Sequence, residues 1–250
     1  MFRSNMITRM LWRNRQTAKV LNASRSSPIL CSHAAVNVRE QGTGTVAIED
    51  SYVKKFMKAV GLMDQSRTRL KLSGYFLYES VPAQVNYVEW FSKCEIEDTF
   101  SSWFYITELH VWLLMVRCMA EDATNAAQKE RYVKGDGWFI RNCIVEALWA
   151  DVSNRIKLLD GANPSIARKQ VSELSEQFQA ALVGYDEGLD DDRILAAAIW
   201  RRFYGMSPDV APENIEKIVQ FVRHQMANLD KLSSEQLKKS PKIDWLSILN

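Results

Sequence analysis

The chain reads as all-α: a single compact helical bundle of about eight helices around a central apolar helix. Three observations carry this. With 10 Gly and 6 Pro in 250 residues, the chain is poor in the turn residues an all-β fold needs. Apolar residues recur at three- and four-residue spacing in one segment after another. And the stretch Asp98 to Ala120, DTFSSWFYITELHVWLLMVRCMA, is apolar nearly all round, as a helix enclosed by its neighbours must be.

From Trp103 to Ala120 the only formal charges in that central stretch are Glu108 and Arg117, with His110 between them. About 20 apolar residues would also span a bilayer. Two charges near a bilayer centre cost roughly 2.5 to 3.5 kcal/mol each, which favours burial in protein. Asp98 or Thr99 can cap the start.

In chain order, Ser51 opens a short helix through Val53, Phe56, Met57 and Val60, closed by Gly61. A second runs from Arg67 to Ser80 and is interrupted by Pro82. Ala83 to Phe91 continues as a short helix through Val85, Val88 and Phe91. After the central helix, the polar run Ala120 to Lys134 is expected to be a surface excursion. Asp136 or Gly137 then opens a long helix to Leu159. Asn163 before Pro164 starts another that ends at Gly184, followed by an acidic loop, Tyr185 to Asp192. Asp191 or Asp192 caps the next helix, and Pro212 opens the cleanest stripe, Ile215, Ile218, Val219, Val222, Met226 and Leu229. Ser233 with Gln236 has the form of a capping box, and a tail with Trp245, Leu246, Ile248 and Leu249 docks on the domain.

The net charge of +2 conceals two unlike regions. Residues 1–39 hold seven of the 32 basic side chains and no acidic one, which leaves 25 basic against 30 acidic residues, a balance near −5. An Arg- and Ser-rich segment without acids has the composition of a mitochondrial transit peptide, and it lacks the apolar core of a secretory signal. The domain plan is therefore 1–40 transit peptide, 41–66 lead-in, and 67–250 helical domain. An acidic domain lacks the basic field that phosphate binding relies on. Arg201 with Arg202 and Lys238 with Lys239 are local exceptions.

Signatures of catalysis are sparse: the chain has no Gly-rich phosphate loop, no nucleophile elbow and no HExxH pair. Cys94, Cys118 and Cys143 form no Cys-x-x-Cys pair. Glu108, His110 and Arg117 with Glu146, Asp151 and Arg155 make either an acid/base pocket or a satisfied polar network between two helices. The network is favoured, because residues two apart on a helix face different ways. Trp112 and Trp245 are the Trp candidates for surface anchors. Tyr185, Asp186 and Glu187 form either an acidic contact patch or a solvated turn.

Three blocks, DTFSSWFYITELHVWLLMVRCMAE, IVEALWADVSNRIKLL and ALVGYDEGLDDDRILAAAIWRRFYG, in that order, resemble the ubiquinol–cytochrome c chaperone family. The similarity runs from about Tyr75 to Trp245 and fades over the first 70 residues. The resemblance implies an all-helical, non-enzymatic assembly factor for complex III, peripheral to the matrix side of the mitochondrial inner membrane, without cofactors. It implies three partners: a small companion factor, newly made cytochrome b and the mitochondrial ribosome. The family blocks fall on Asp98, Trp103, Glu108, His110, Trp149, Asp151, Tyr185, Asp186 and Glu187. Candidate partner-binding residues are accordingly Trp103, Trp112, Glu108, His110, Tyr185, Asp186, Glu187 and Trp245. The alternative is a haem- or quinone-handling enzyme or carrier using His110 or His224.

Overall fold

The structure is a computed structural model that describes residues 66–127, 135–159, 164–239 and 241–248. The expected transit peptide and the helix expected over Ser51 to Gly61 lie outside the described residues. Eight helices and no strand occur among those described: α1 Ser66–Gln84, α2 Tyr87–Lys93, α3 Phe100–Ala127, α4 Asp136–Leu159, α5 Pro164–Glu187, α6 Asp192–Tyr204, α7 Pro212–Leu229 and α8 Ser234–Lys239.

Helix α3 is the axis. It starts where the Thr99 hydroxyl accepts from the Ser102 amide at 3.2 Å, so Thr99 and not Asp98 is the cap. Every residue from Ile106 to Met115 is buried, which requires neighbours on all sides. Helices α1, α2, α4, α5, α6 and α7 supply them. Among the described residues no helix is long and apolar enough to cross a membrane.

Helices α1 and α4 pack closely because α1 carries Gly74. A Cβ there would lie 2.5 Å from the Cβ of Cys143 and 3.0 Å from the Ile140 carbonyl oxygen. Helix α6 ends on Gly205, whose φ of 58° is the left-handed cap conformation that glycine adopts without a steric penalty.

Three expected boundaries move. Pro82 does not end α1, which continues to Gln84; the proline forfeits the one ladder bond its own N–H would have made. The next helix begins only after Asn86, whose side chain accepts from the Glu89 amide, and this turns Val88 outward, 73% exposed. Helix α3 runs past Ala120 to Ala127, so the first part of the expected surface excursion is helical. Polar Glu121 and Asp122 are buried there because they have partners: Asp122 accepts from the amides of Gly137 at 2.9 Å and Trp138 at 2.7 Å, capping α4 from a neighbouring helix.

The start signals of α6 and α8 hold. Asp191 caps α6 by accepting from the Arg193 amide. Ser233 and Gln236 form the reciprocal capping box at 2.9 and 3.2 Å. The carboxy-terminal segment 241–248 packs on the helices with Ile243 and Ile248 buried, though Leu246 stays exposed.

Candidate functional site

The polar residues of α3 separate by face. Glu108 is fully buried and receives two hydrogen bonds from Arg202 of α6, at 2.9 and 2.7 Å, plus one from the Tyr185 hydroxyl at 3.2 Å. This is the bidentate fork that suits guanidinium to carboxylate. Burial raises the carboxyl above its usual range, opposed by Arg202 and then Tyr185. Arg202 also lies over the Tyr105 ring at 4.1 Å.

His110 faces elsewhere. Its Nδ1 donates to the Ile106 carbonyl at 2.7 Å, and its ring sits among Trp245, Phe221 and Trp90 with centroids at 4.8, 5.3 and 5.4 Å. Burial lowers its pKa to about 4, so the imidazole is neutral at pH 7. Its Nε2 finds no hydrogen-bond partner among the described residues.

The expected grouping of Glu108, His110 and Arg117 with Glu146, Asp151 and Arg155 therefore does not form. Arg117 bonds the Leu229 and Leu232 carbonyls, Glu146 pairs with Lys71, and Asp151 holds Arg155 and the Tyr78 hydroxyl. Glu146 takes its base from α1, and Asp151 takes one from its own helix four residues on.

Tyr185 and Asp186 also depart from expectation. They belong to the last turn of α5 and are buried, with only Glu187 of the three exposed. Asp186 accepts from the indole of Trp112 at 2.9 Å, and burial pushes its carboxyl up to about 6. Trp112 is itself 1% exposed and cannot be a surface anchor. Glu108, His110, Trp112, Tyr185 and Asp186 thus present no surface to a partner in this structure. The basic pairs dissolve similarly: Arg202 serves Glu108, Lys238 bridges Glu121 and Asp136, and Lys239 pairs with Glu235.

Two candidate positions remain at the surface besides Glu187. Trp103 is half-buried, stacked on Phe100 at 5.4 Å, near Tyr87 at 6.4 Å, with the Arg155 guanidinium 4.3 Å above its ring. An aromatic face with one held cation thus forms where α2, α3 and α4 meet. Trp245 lies in the carboxy-terminal segment, its indole donating to Ser80 at 3.0 Å. Arg155 and Arg202, which organise these places, were legible in the sequence only as charges, because nothing in a helix's own periodicity says which neighbour its charges meet.

A profile of the ubiquinol-cytochrome C chaperone family matches residues 92–243, more than half of the chain. The chain belongs to that family. It is 42% identical over 250 aligned residues to the ubiquinol-cytochrome c reductase complex assembly factor 1 of Drosophila melanogaster, covering 97% of this chain and 93% of that protein. It is 27% identical to the mitochondrial protein CBP3 of Saccharomyces cerevisiae over 76% of this chain, and spans 50% of that longer protein. The fold matches the crystal structure of the Cbp3 homolog from Brucella abortus with a TM-score of 0.56 at 18% identity, covering 79% of this chain and 98% of that one. The matched segment takes in α3 to α8 entire, so the buried polar pairs described above all lie within or beside the family region.

Proposed function

We propose that this chain is a mitochondrial assembly chaperone of the ubiquinol–cytochrome c reductase complex. It receives newly made cytochrome b at the matrix side of the inner membrane, with a small companion factor and the mitochondrial ribosome as further partners. The observation that carries the reading is the 42% identity maintained along 97% of the chain to a complex III assembly factor. The acid-free composition of the first 39 residues supports import, with residues 1–40 as the transit peptide and 41–66 as the lead-in.

The chemistry of the surface fits a handler of apolar polypeptide. A membrane protein released from the ribosome exposes apolar and aromatic side chains, and the Trp103 face offers aromatic rings and the Arg155 guanidinium to meet them. The reading is of a protein without chemistry of its own. A haem or quinone at His110 would need the volume already filled by Trp90, Phe221 and Trp245, whereas His224 lies exposed on α7.

The test is site-specific photo-crosslinking from position 103 of the full chain in intact mitochondria, with mitochondrial translation products radiolabelled. A crosslink to newly made cytochrome b is the expected result. Labelled cytochrome b absent from every adduct, or normal complex III in cells lacking the chain, would overturn the reading. Trp103→Ala should weaken the adduct formed from a probe at position 100, whose ring stacks on Trp103, by about ten-fold, as loss of a binding anchor does.

A further inference from the structure

The carboxy-terminal strap, residues 241–248, has no helical structure and, besides the bond from the Trp245 indole to Ser80, is held by its main chain. Asn228 donates to the Asp244 carbonyl at 2.8 Å, Gln225 accepts from the Leu246 amide at 2.9 Å, and Lys93 donates to the Ile248 carbonyl at 3.2 Å. The groups captured belong to alternate residues, so side chains of α7 and α2 read the backbone of an extended segment without regard to its sequence. Along the strap Ile243, Trp245 and Ile248 turn inward while Asp244, Leu246 and Ser247 face out. Clamped main chain with pockets for spaced side chains is how proteins bind extended peptides.

The fit of this occupant is incomplete. Beneath the strap, His110 Nε2 and Gln225 Nε2 are both buried without a hydrogen-bond partner, although His110 touches Trp245 and Gln225 touches Leu246. Buried polar atoms in native cores are ordinarily paired. With its Nδ1 donating to Ile106, His110 offers an acceptor, and the Gln225 amide nitrogen offers a donor.

We propose that the groove between α1, α2 and α7, floored by His110 of α3, is a binding site for an extended apolar segment of a partner chain, occupied in cis by the protein's own carboxy terminus. The preferred segment has bulky apolar residues at the places of Ile243 and Ile248. At that of Trp245 it has a hydroxyl or amide side chain, which donates and accepts and so satisfies floor atoms the strap leaves bare. Binding requires the strap to leave, so the chain's terminus competes with its partner and keeps the groove closed until one arrives. This deepens the client-handling reading and rests on it only for the partner's identity.

Full-length protein with Ile243→Asp and Ile248→Asp releases its strap and leaves the groove walls unaltered. A fluorescein-labelled peptide spanning Pro241 to Asn250 is titrated against it and against the unaltered chain, with anisotropy as the readout. The released variant should bind about ten-fold more tightly or better, and a peptide with the same two substitutions should not bind. A released variant with unchanged circular dichroism that takes up no peptide overturns the proposal. Hydrogen exchange on the unaltered chain gives a second test. Amides of Asp244 to Ile248 should exchange about 100-fold faster than those of Ile106 to Leu114; exchange in step with α3 makes the strap a fixed part of the core and overturns the proposal. A dimer of the unaltered chain with exchanged tails would assign the groove to a second copy and overturn it as well. None of these readouts involves cytochrome b, so a failure here leaves the proposed function standing, and the reverse holds too.

Discussion

Replacing Arg202 by Met tests whether the buried polar set on α3 is held by the one base that reaches it. Arg202 alone gives Glu108 its bidentate partner, at 2.9 and 2.7 Å, and the carboxylate is wholly enclosed. Removing one member of such a pair leaves a buried charge without compensation, a loss of about 3 to 5 kcal/mol. For a domain of this size that is a fall in Tm of roughly 6 to 20 °C, read by circular dichroism. The sign with pH is also determined. With Arg202 gone, burial drives the folded-state pKa of Glu108 further above its unfolded value. Protonation then favours the folded form, and stability is lost as pH rises through the folded pKa. The parent carboxyl itself sits at about 7, so the variant's deficit should shrink by up to about 0.8 kcal/mol between pH 7.5 and 5.5. The combination Glu108→Leu, Arg202→Met and Tyr185→Phe removes carboxylate, base and the hydroxyl that donates to it, and should recover to within about 2 kcal/mol of the parent. An Arg202→Met protein within about 1 kcal/mol of the parent at pH 7.5 refutes the reasoning.

Three further predictions use the same kind of measurement. The pKa of His110 is lowered by burial to about 4, so between pH 6.5 and 4 the unfolded chain takes up a proton that the folded one refuses, and stability drains as pH falls. His110→Phe removes that drain and should gain about 2 kcal/mol on the parent between pH 7.5 and 5; a difference that is flat with pH would contradict it. Asp122→Ala frees two capped amides of α4 and should cost about 2 to 4 kcal/mol, with faster hydrogen exchange confined at first to Gly137 and Trp138. Gly74→Ala forces α1 away from α4 and should cost about 1 to 3 kcal/mol. Adding Cys143→Ala should bring no relief, since the atom in the way is the Cβ that alanine keeps.

Much of the local plan was readable from residues next to one another in the chain. Pro164, Asp191, Pro212 and the Ser233 and Gln236 box act within one helical turn, so their chemistry is complete in sequence and each opened its helix where expected. The central helix was equally plain, because a segment without a polar face has to be enclosed. Boundaries failed where the deciding contact came from afar. Asp122 lies in a polar run that reads as surface, and only the start of α4 beside it makes its burial tolerable. Tyr185 and Asp186 read as a loop because Gly184 looks like a stop, yet Glu108 and Trp112 supply partners that let α5 continue through it.

By itself the sequence determined the helical class, the buried axis, the caps and the family, since periodicity, side-chain size and word-like blocks survive without coordinates. Tertiary structure alone decided which of the candidate residues reach the surface. Helical spacing sorts residues onto faces but does not say what each face meets. Trp103 and Trp112 stand on the same apolar helix, and only the packing of α4, α5 and α6 around it leaves the first at the surface and shuts the second inside.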